Sequence, residues 1–136
     1  MRQLKITKII SNRDPESLDT YLDRIKSDEV LTIDEEIELA KLIKKGDRQA
    51  LKILVRPNLW FVYSIAKEYL NQGLRFQDLY NEGYLALIRA AEYWDGTQGE
   101  GNLMSYATEW IHKGIQQAIV EQERIVRYQK NEIKNE

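Results

Sequence analysis

The sequence predicts an all-α fold, an irregular bundle of about six helices. Apolar residues recur at steps of three and four through most of the chain, which places them on one face of a helix. No segment shows the alternation of apolar and polar residues that a half-buried strand requires, and there is no internal repeat. With 136 residues and 43% hydrophobic side chains, the chain can form one compact domain with a modest core.

The composition argues against several kinds of site. The chain has no cysteine and a single histidine, His112, so we expect no disulfide, no metal site and no cofactor. The serines lack the context of a nucleophile, and the pair Glu35-Glu36 fits a helix start better than an acid–base dyad, which predicts that the protein is not an enzyme. No window approaches the roughly 20 apolar residues of a membrane span, so we predict a cytoplasmic protein without a membrane partner.

The first predicted helix follows a short arm. Residues 1–13 mix charged and isolated apolar side chains without a period, which predicts a flexible N-terminal arm. Asp14 is a favourable N-cap and Pro15 a favourable first helical residue, so a helix is predicted from Pro15 to about Lys26. The helical domain is expected to span residues 14–128, followed by a polar tail at residues 129–136.

Local signals define the next two helices. Thr32 and Glu35 form a capping box, in which each side chain satisfies a backbone N–H group that the helix start leaves unpaired. This helix is predicted to end at Gly46, because glycine is the usual residue just past a helix end. Asp47 caps the following helix, and Pro57 interrupts it because proline lacks a backbone donor.

Three more helices are predicted in the rest of the chain, at Leu59 to Leu70, Phe76 to Trp94, and Leu103 to about Tyr128. Gly83 lies inside the second of these at a cost of roughly 1 kcal/mol relative to alanine, which predicts that another backbone packs closely there. A glycine-rich connector at residues 95–102 precedes the last helix. The predicted buried stripe of that helix contains positions 103, 107, 110, 111, 115, 118, 119, 125 and 126.

Spaced residues in the second half carry a family pattern. They are Asp78-Leu79, Asn81-Glu82-Gly83, Ser105-Tyr106-Ala107-Thr108, Trp110-Ile111, Ala118-Ile119, Gln122, Arg124 and Arg127. This pattern resembles region 2 of bacterial primary sigma factors of the sigma-70 family, the promoter-opening subunits of RNA polymerase. The resemblance extends upstream through residues 31–69, which is similar to regions 1.2 and 2.1, so regions 1.2–2.4 are covered. The opening Met1-Arg2-Gln3-Leu4-Lys5-Ile6-Thr7 resembles the primary sigma factor of Bacteroidetes-type bacteria.

The resemblance implies a protein partner for Asp78, Asn81 and Glu82. In sigma factors the matching positions contact a coiled coil of the β′ subunit of core RNA polymerase. Residues at i, i+3 and i+4 lie together on a helix, so these three side chains can present acceptors to an arginine-rich partner helix. The alternative is that they form an ordinary solvated helix face.

The resemblance also implies contact with promoter DNA. Tyr106 and Trp110 would stack on unpaired bases of the minus-ten element at roughly 1–3 kcal/mol per base, whereas the alternative for both is core packing. The other implied DNA-binding residues are His112, Lys113, Gln116, Gln117 and Arg124. Weak binding is expected, because residues 109–136 carry five Lys/Arg and five Asp/Glu and the whole chain has a net charge of −2.

The chain departs from the family pattern at several positions. Glu109 replaces the first tryptophan of a pair, and the connector has Gly101-Asn102-Leu103 where the family places aromatic residues and a lysine. His112-Lys113 replaces the Arg-Gln of the family, and Trp60 stands where arginine is usual. Glu109 would place a negative charge where DNA approaches.

The leading prediction is a truncated sigma-like transcription initiation factor that binds core RNA polymerase and the melted minus-ten element. The alternative is a regulator or adaptor that occupies the sigma site on the polymerase without opening promoters. The chain ends before regions 3 and 4 of the family, so a helper protein that supplies DNA targeting is a further expected partner.

Overall fold

The computed structural model describes residues 31–97 and 102–135, and every regular element in these ranges is helical, which confirms the all-α class. The helices are α1 (Ile33–Lys44), α2 (Arg48–Val55), α3 (Leu59–Lys67), α4 (Phe76–Tyr93) and α5 (Leu103–Asn135), with a short 3-10 helix at Arg56–Asn58. The predicted arm, the predicted helix at 15–26 and the opening residues 1–7 lie outside the described residues. The count of about six helices therefore stays a prediction.

The helix starts follow the predicted side-chain caps. The amide of Glu35 donates to Thr32 Oγ1 at 3.2 Å, and the amide of Thr32 donates to Glu35 Oε1 at 3.0 Å, so the capping box is confirmed. Asp47 Oδ1 accepts hydrogen bonds from the second and third amides of α2, at 3.0 and 3.1 Å. Pro57 lies in the 3-10 helix that separates α2 from α3, as its missing donor requires.

Helices α4 and α5 share the largest interface, and a glycine on each allows their close approach. A Cβ atom at Gly83 would lie 2.9 Å from Val62 Cγ1 and 3.3 Å from Ile111 Cγ2. A Cβ atom at Gly114 would lie 3.0 Å from Ala86 Cβ. The close packing predicted at Gly83 is therefore present, but the neighbours are side chains of α3 and α5 rather than another backbone.

The last helix is longer and more exposed than predicted. It continues to Asn135, past the end expected near Tyr128, so the predicted polar tail is helical over residues 129–135. The buried stripe ends at Ile119, whereas Ile125 and Val126 are exposed. The prediction that these two residues are buried is wrong, because no other described helix extends alongside this part of α5. None of the described helices is long and apolar enough to cross a membrane.

A buried carboxylate on α1 contacts the start of α5. Glu36 is only 6% exposed, and its Oε1 accepts a hydrogen bond from the amide of Leu103 at 3.4 Å. Burial raises the pKa of Glu36 above the ordinary value of 4.5, although hydrogen bonds from Leu103 and the Asn58 side chain oppose that shift. Glu36 thereby satisfies one of the unpaired amides at the N-terminus of the helix that carries all seven candidate DNA-binding residues.

We expect Glu36→Gln to stabilise the protein at neutral pH. The Glu36 carboxyl binds a proton more tightly in the folded state than in the unfolded chain. The free energy of unfolding therefore falls as pH rises from about 4.5 through the pKa of Glu36 in the folded state. Glutamine accepts the same hydrogen bond without a charge, so the advantage of this variant should shrink on acidification. Urea unfolding of the wild type and Glu36→Gln across this pH range measures the difference in their free energies of unfolding. A difference that does not change with pH would contradict the raised pKa of Glu36.

Glu36→Ala should instead destabilise the protein by about 1–3 kcal/mol, because the Leu103 amide loses its acceptor.

Candidate functional site

The first candidate surface is the outer face of the N-terminal half of α4. Asp78 lies in the first turn, where the helix dipole favours a carboxylate, and its Oδ2 accepts from Arg75 Nε at 3.1 Å. Asn81 is exposed and Glu82 is half-buried, and the three predicted residues share one face. A surface ion pair such as Arg75–Asp78 is worth about 1 kcal/mol or less, so a partner arginine can displace it at little cost.

Leu85 belongs to the same face, although the sequence interpretation did not include it. Its side chain is 45% exposed one turn beyond Asn81, and two turns beyond Asp78. The hydrogen-bond acceptors of this surface therefore border an exposed apolar side chain. This combination is more typical of a protein-binding surface than of an ordinary solvated helix face. The spacing i, i+3, i+4 and i+7 from Asp78 was the signal that could have identified Leu85.

The second candidate surface is formed where α5 crosses the C-terminal half of α4. Tyr106 and Trp110 are half-buried, with ring centroids 6.1 Å apart. Tyr93, at the end of α4, stacks on Trp110 with centroids 5.6 Å apart and an angle of 17° between the rings. Trp110 therefore packs against the core and also belongs to a surface aromatic group, so neither sequence interpretation describes it fully. Tyr93 was missed, because its partner lies on another helix.

A groove continues from Trp110 along the same crossing. Its volume is about 310 Å³, and its lining residues are Ala86, Arg89, Glu109, Trp110, Lys113, Gly114 and Gln117. The structure thus brings together Trp110, Lys113 and Gln117 of the predicted set and adds Arg89 from α4. Arg89 and Lys113 contribute two positive charges, and Glu109 contributes one negative charge at the same groove.

His112 and Gln116 form a separate group around Tyr69. The Tyr69 hydroxyl lies 2.6 Å from His112 Nδ1, and Gln116 Nε2 donates to the same hydroxyl at 3.2 Å. These two predicted DNA-binding side chains are thus held by an internal hydrogen-bond network.

Arg124 lies apart from both groups. It is exposed and pairs with Glu121 at 3.7 Å on the free part of α5. The seven predicted DNA-binding residues therefore fall into three places. Tyr106, Trp110, Lys113 and Gln117 belong to the stacked rings and the adjoining groove, together called the aromatic groove below, His112 and Gln116 belong to the Tyr69 network, and Arg124 stands alone.

One exposed row of side chains joins the two candidate surfaces. The row follows the i, i+4 direction along α4 and consists of Asn81, Leu85, Arg89 and Tyr93. No group of three or more potential metal ligands occurs in the described ranges, 31–97 and 102–135. The geometry at both ends of the row is suited to binding: acceptors beside an apolar residue at one end, and stacked rings beside cations at the other.

Comparison with known proteins points to one family. Residues 54–125 match the family described as Sigma-70 region 2, and residues 16–49 match Sigma-70 factor, region 1.2. The chain is 46% identical over 107 residues to the RNA polymerase sigma factor SigA of Clostridium acetobutylicum, and 43% identical over 107 residues to that of a Bacillus species. Both alignments cover 79% of this chain, which spans only 28% of the length of each relative. Both candidate surfaces lie inside the region 2 match.

Proposed function

Because the chain belongs to the sigma-70 family of non-enzymatic transcription factors, we propose that it is a transcription initiation module of the bacterial cytoplasm. In this proposal it docks on core RNA polymerase and engages the melted minus-ten promoter element. The observation that supports the proposal is the packed α4–α5 pair, which carries exposed acceptors beside Leu85 at one end and stacked rings beside a groove at the other.

The polymerase contact is assigned to Asp78, Asn81, Glu82 and Leu85. A carboxylate accepts paired hydrogen bonds from arginine, so Asp78 can exchange Arg75 for an arginine of the β′ coiled coil. Leu85 adds apolar area beside these acceptors, and a partner helix laid along the face would bury it.

The DNA contact is assigned to the aromatic groove and its surroundings. Aromatic rings bind unpaired bases of any sequence by stacking, and the nearby cations neutralise backbone phosphates. Trp110, Tyr106, Lys113 and Gln117 form the main contact, with Arg124 further along the helix. His112 and Gln116 reach DNA only from within the Tyr69 network, so their contribution is smaller.

A second candidate function is a regulator that occupies the sigma site without opening promoters. Glu109 favours it, because this carboxylate lines the groove and repels the phosphates that Arg89 and Lys113 would attract. A helper protein that supplies DNA targeting fits this second candidate.

Run-off transcription with core polymerase separates the two candidates. One template is fully duplex, and the other carries a pre-melted minus-ten bubble. The first candidate predicts core binding and a product from the bubble template, whereas the second predicts core binding and no product from either. Absence of core binding would contradict both.

A further inference from the structure

We propose that Tyr93 is the base-stacking surface of this site, and that Arg89 and Lys113 bind the phosphate of the stacked nucleotide in single-stranded DNA. The inference rests on the proposed function and names its ligand-binding residues. It assigns the outer surface of the aromatic group to a residue of α4, whereas the sequence pattern places all base contacts on α5.

The stacking geometry supports this assignment. The Tyr93 and Trp110 rings are nearly parallel, at 17°, and their centroids are 5.6 Å apart. Tyr93 therefore lies over part of one face of Trp110 in an offset stack, and a base that approaches this face meets the Tyr93 ring. Tyr93 is itself 64% exposed, so its outer face is open to a base.

The support beneath Tyr93 is rigid. Trp110 packs against the core and also contacts Tyr106, at a centroid distance of 6.1 Å. A base that stacks on Tyr93 would thus extend an existing stack, and little side-chain entropy would be lost on binding. A solvated tyrosine without a ring beneath it lacks this preorganisation.

The charges favour a nucleotide over an apolar partner. Arg89 lies one helical turn before Tyr93 on the exposed row, and Lys113 lies one turn after Trp110 on α5. Both line the groove that starts at Trp110, and no ion pair joins either of them to an acidic residue within the described parts of the chain. Two cations beside an exposed ring match a base and its phosphate. Glu109 limits the gain, since it lines the same groove.

The test measures single-stranded DNA binding by the complex of the full chain with core polymerase. The probe is an oligonucleotide with a minus-ten sequence and a fluorescent adenine analogue, whose emission falls when it stacks on an aromatic ring. We expect Tyr93→Ala to weaken binding about tenfold and to remove the fluorescence change at one analogue position. Tyr93→Trp should preserve both. Tyr128→Ala is the matched control, because Tyr128 is 65% exposed and has no ring contact within the described residues.

The phosphate contacts have their own readout. Arg89→Gln and Lys113→Gln should each weaken binding and reduce the slope of log affinity against log salt by about 0.7. Equal affinity and equal quenching in the wild type and Tyr93→Ala would overturn the inference, as would an equal loss in Tyr128→Ala. If the wild-type complex binds no single-stranded DNA, the proposed DNA contact itself fails, and the inference fails with it.

Discussion

Reversing the charges of Asp78 and Glu82 together, as Asp78→Lys and Glu82→Lys, is expected to lower affinity for core RNA polymerase about thirtyfold or more. Loss of one partner from a buried, hydrogen-bonded charge pair typically costs about 2–5 kcal/mol, and about 1.4 kcal/mol corresponds to a tenfold change. The double substitution also places a positive charge opposite the partner arginine that Asp78 would bind. A binding titration with immobilised core polymerase measures the effect.

A matched control is available elsewhere on the surface. Glu38→Lys and Glu68→Lys change the net charge by the same amount, and both glutamates are exposed outside the α4 face. Thermal unfolding checks that the α4 variant still folds, because a lysine in the first turn opposes the helix dipole. If both double variants bind the polymerase like the wild type, the assigned face is wrong. Equal loss in both would indicate a general charge effect and also contradict the assignment.

Substitutions of two neighbouring residues, Glu109 and Trp110, are expected to have opposite effects on the amount of run-off product from the pre-melted template. Trp110→Ala should reduce the run-off product about tenfold or more, because it removes the ring that supports Tyr93, and a base stacked on Tyr93 contributes roughly 1–3 kcal/mol. Glu109→Gln should increase the product, because it removes the negative charge that lines the groove. Gel analysis of the products at equal polymerase occupancy measures both effects.

The fully duplex template tests whether the departures from the family pattern impair promoter opening. Little product is expected from it, since Glu109 and the missing connector aromatics weaken capture of the opened strand. Efficient run-off from the closed duplex would show that these departures do not limit opening. An unchanged yield with Trp110→Ala, while the variant still binds core polymerase, would remove the stacking role.

Local chemistry explains which parts of the fold could be predicted. Thr32 and Asp47 act through hydrogen bonds to amides two or three residues away, so their sequence neighbours suffice to define the helix starts. The predicted end of α5, near Tyr128, is too early. Residues 129–135 contain neither glycine nor proline, and several are favourable helix formers, so the helix continues.

The contacts of the candidate site depend on how α4 and α5 cross. Tyr93 and Trp110 are far apart in sequence, and only the close packing at Gly114 and Ala86 brings their helix faces together. Trp94 is fully buried at the end of α4, but the periodic pattern gave no reason to single out its exposed neighbour, Tyr93. The Tyr69–His112 hydrogen bond likewise joins two elements whose relative position is a tertiary property.

The exposed row on α4 makes this helix a rigid spacer between two binding events. From Asn81 to Tyr93 the distance along the axis is about 18 Å, at about 1.5 Å per residue. No proline lies in this span, and its one glycine, Gly83, is clamped by side chains of α3 and α5. In the proposed complex, the polymerase therefore fixes the position and direction of the stacking ring as soon as it binds the other end of the helix. The position at which the opened strand contacts the protein is then determined by the length of α4, and no flexible linker has to sample conformations to reach it.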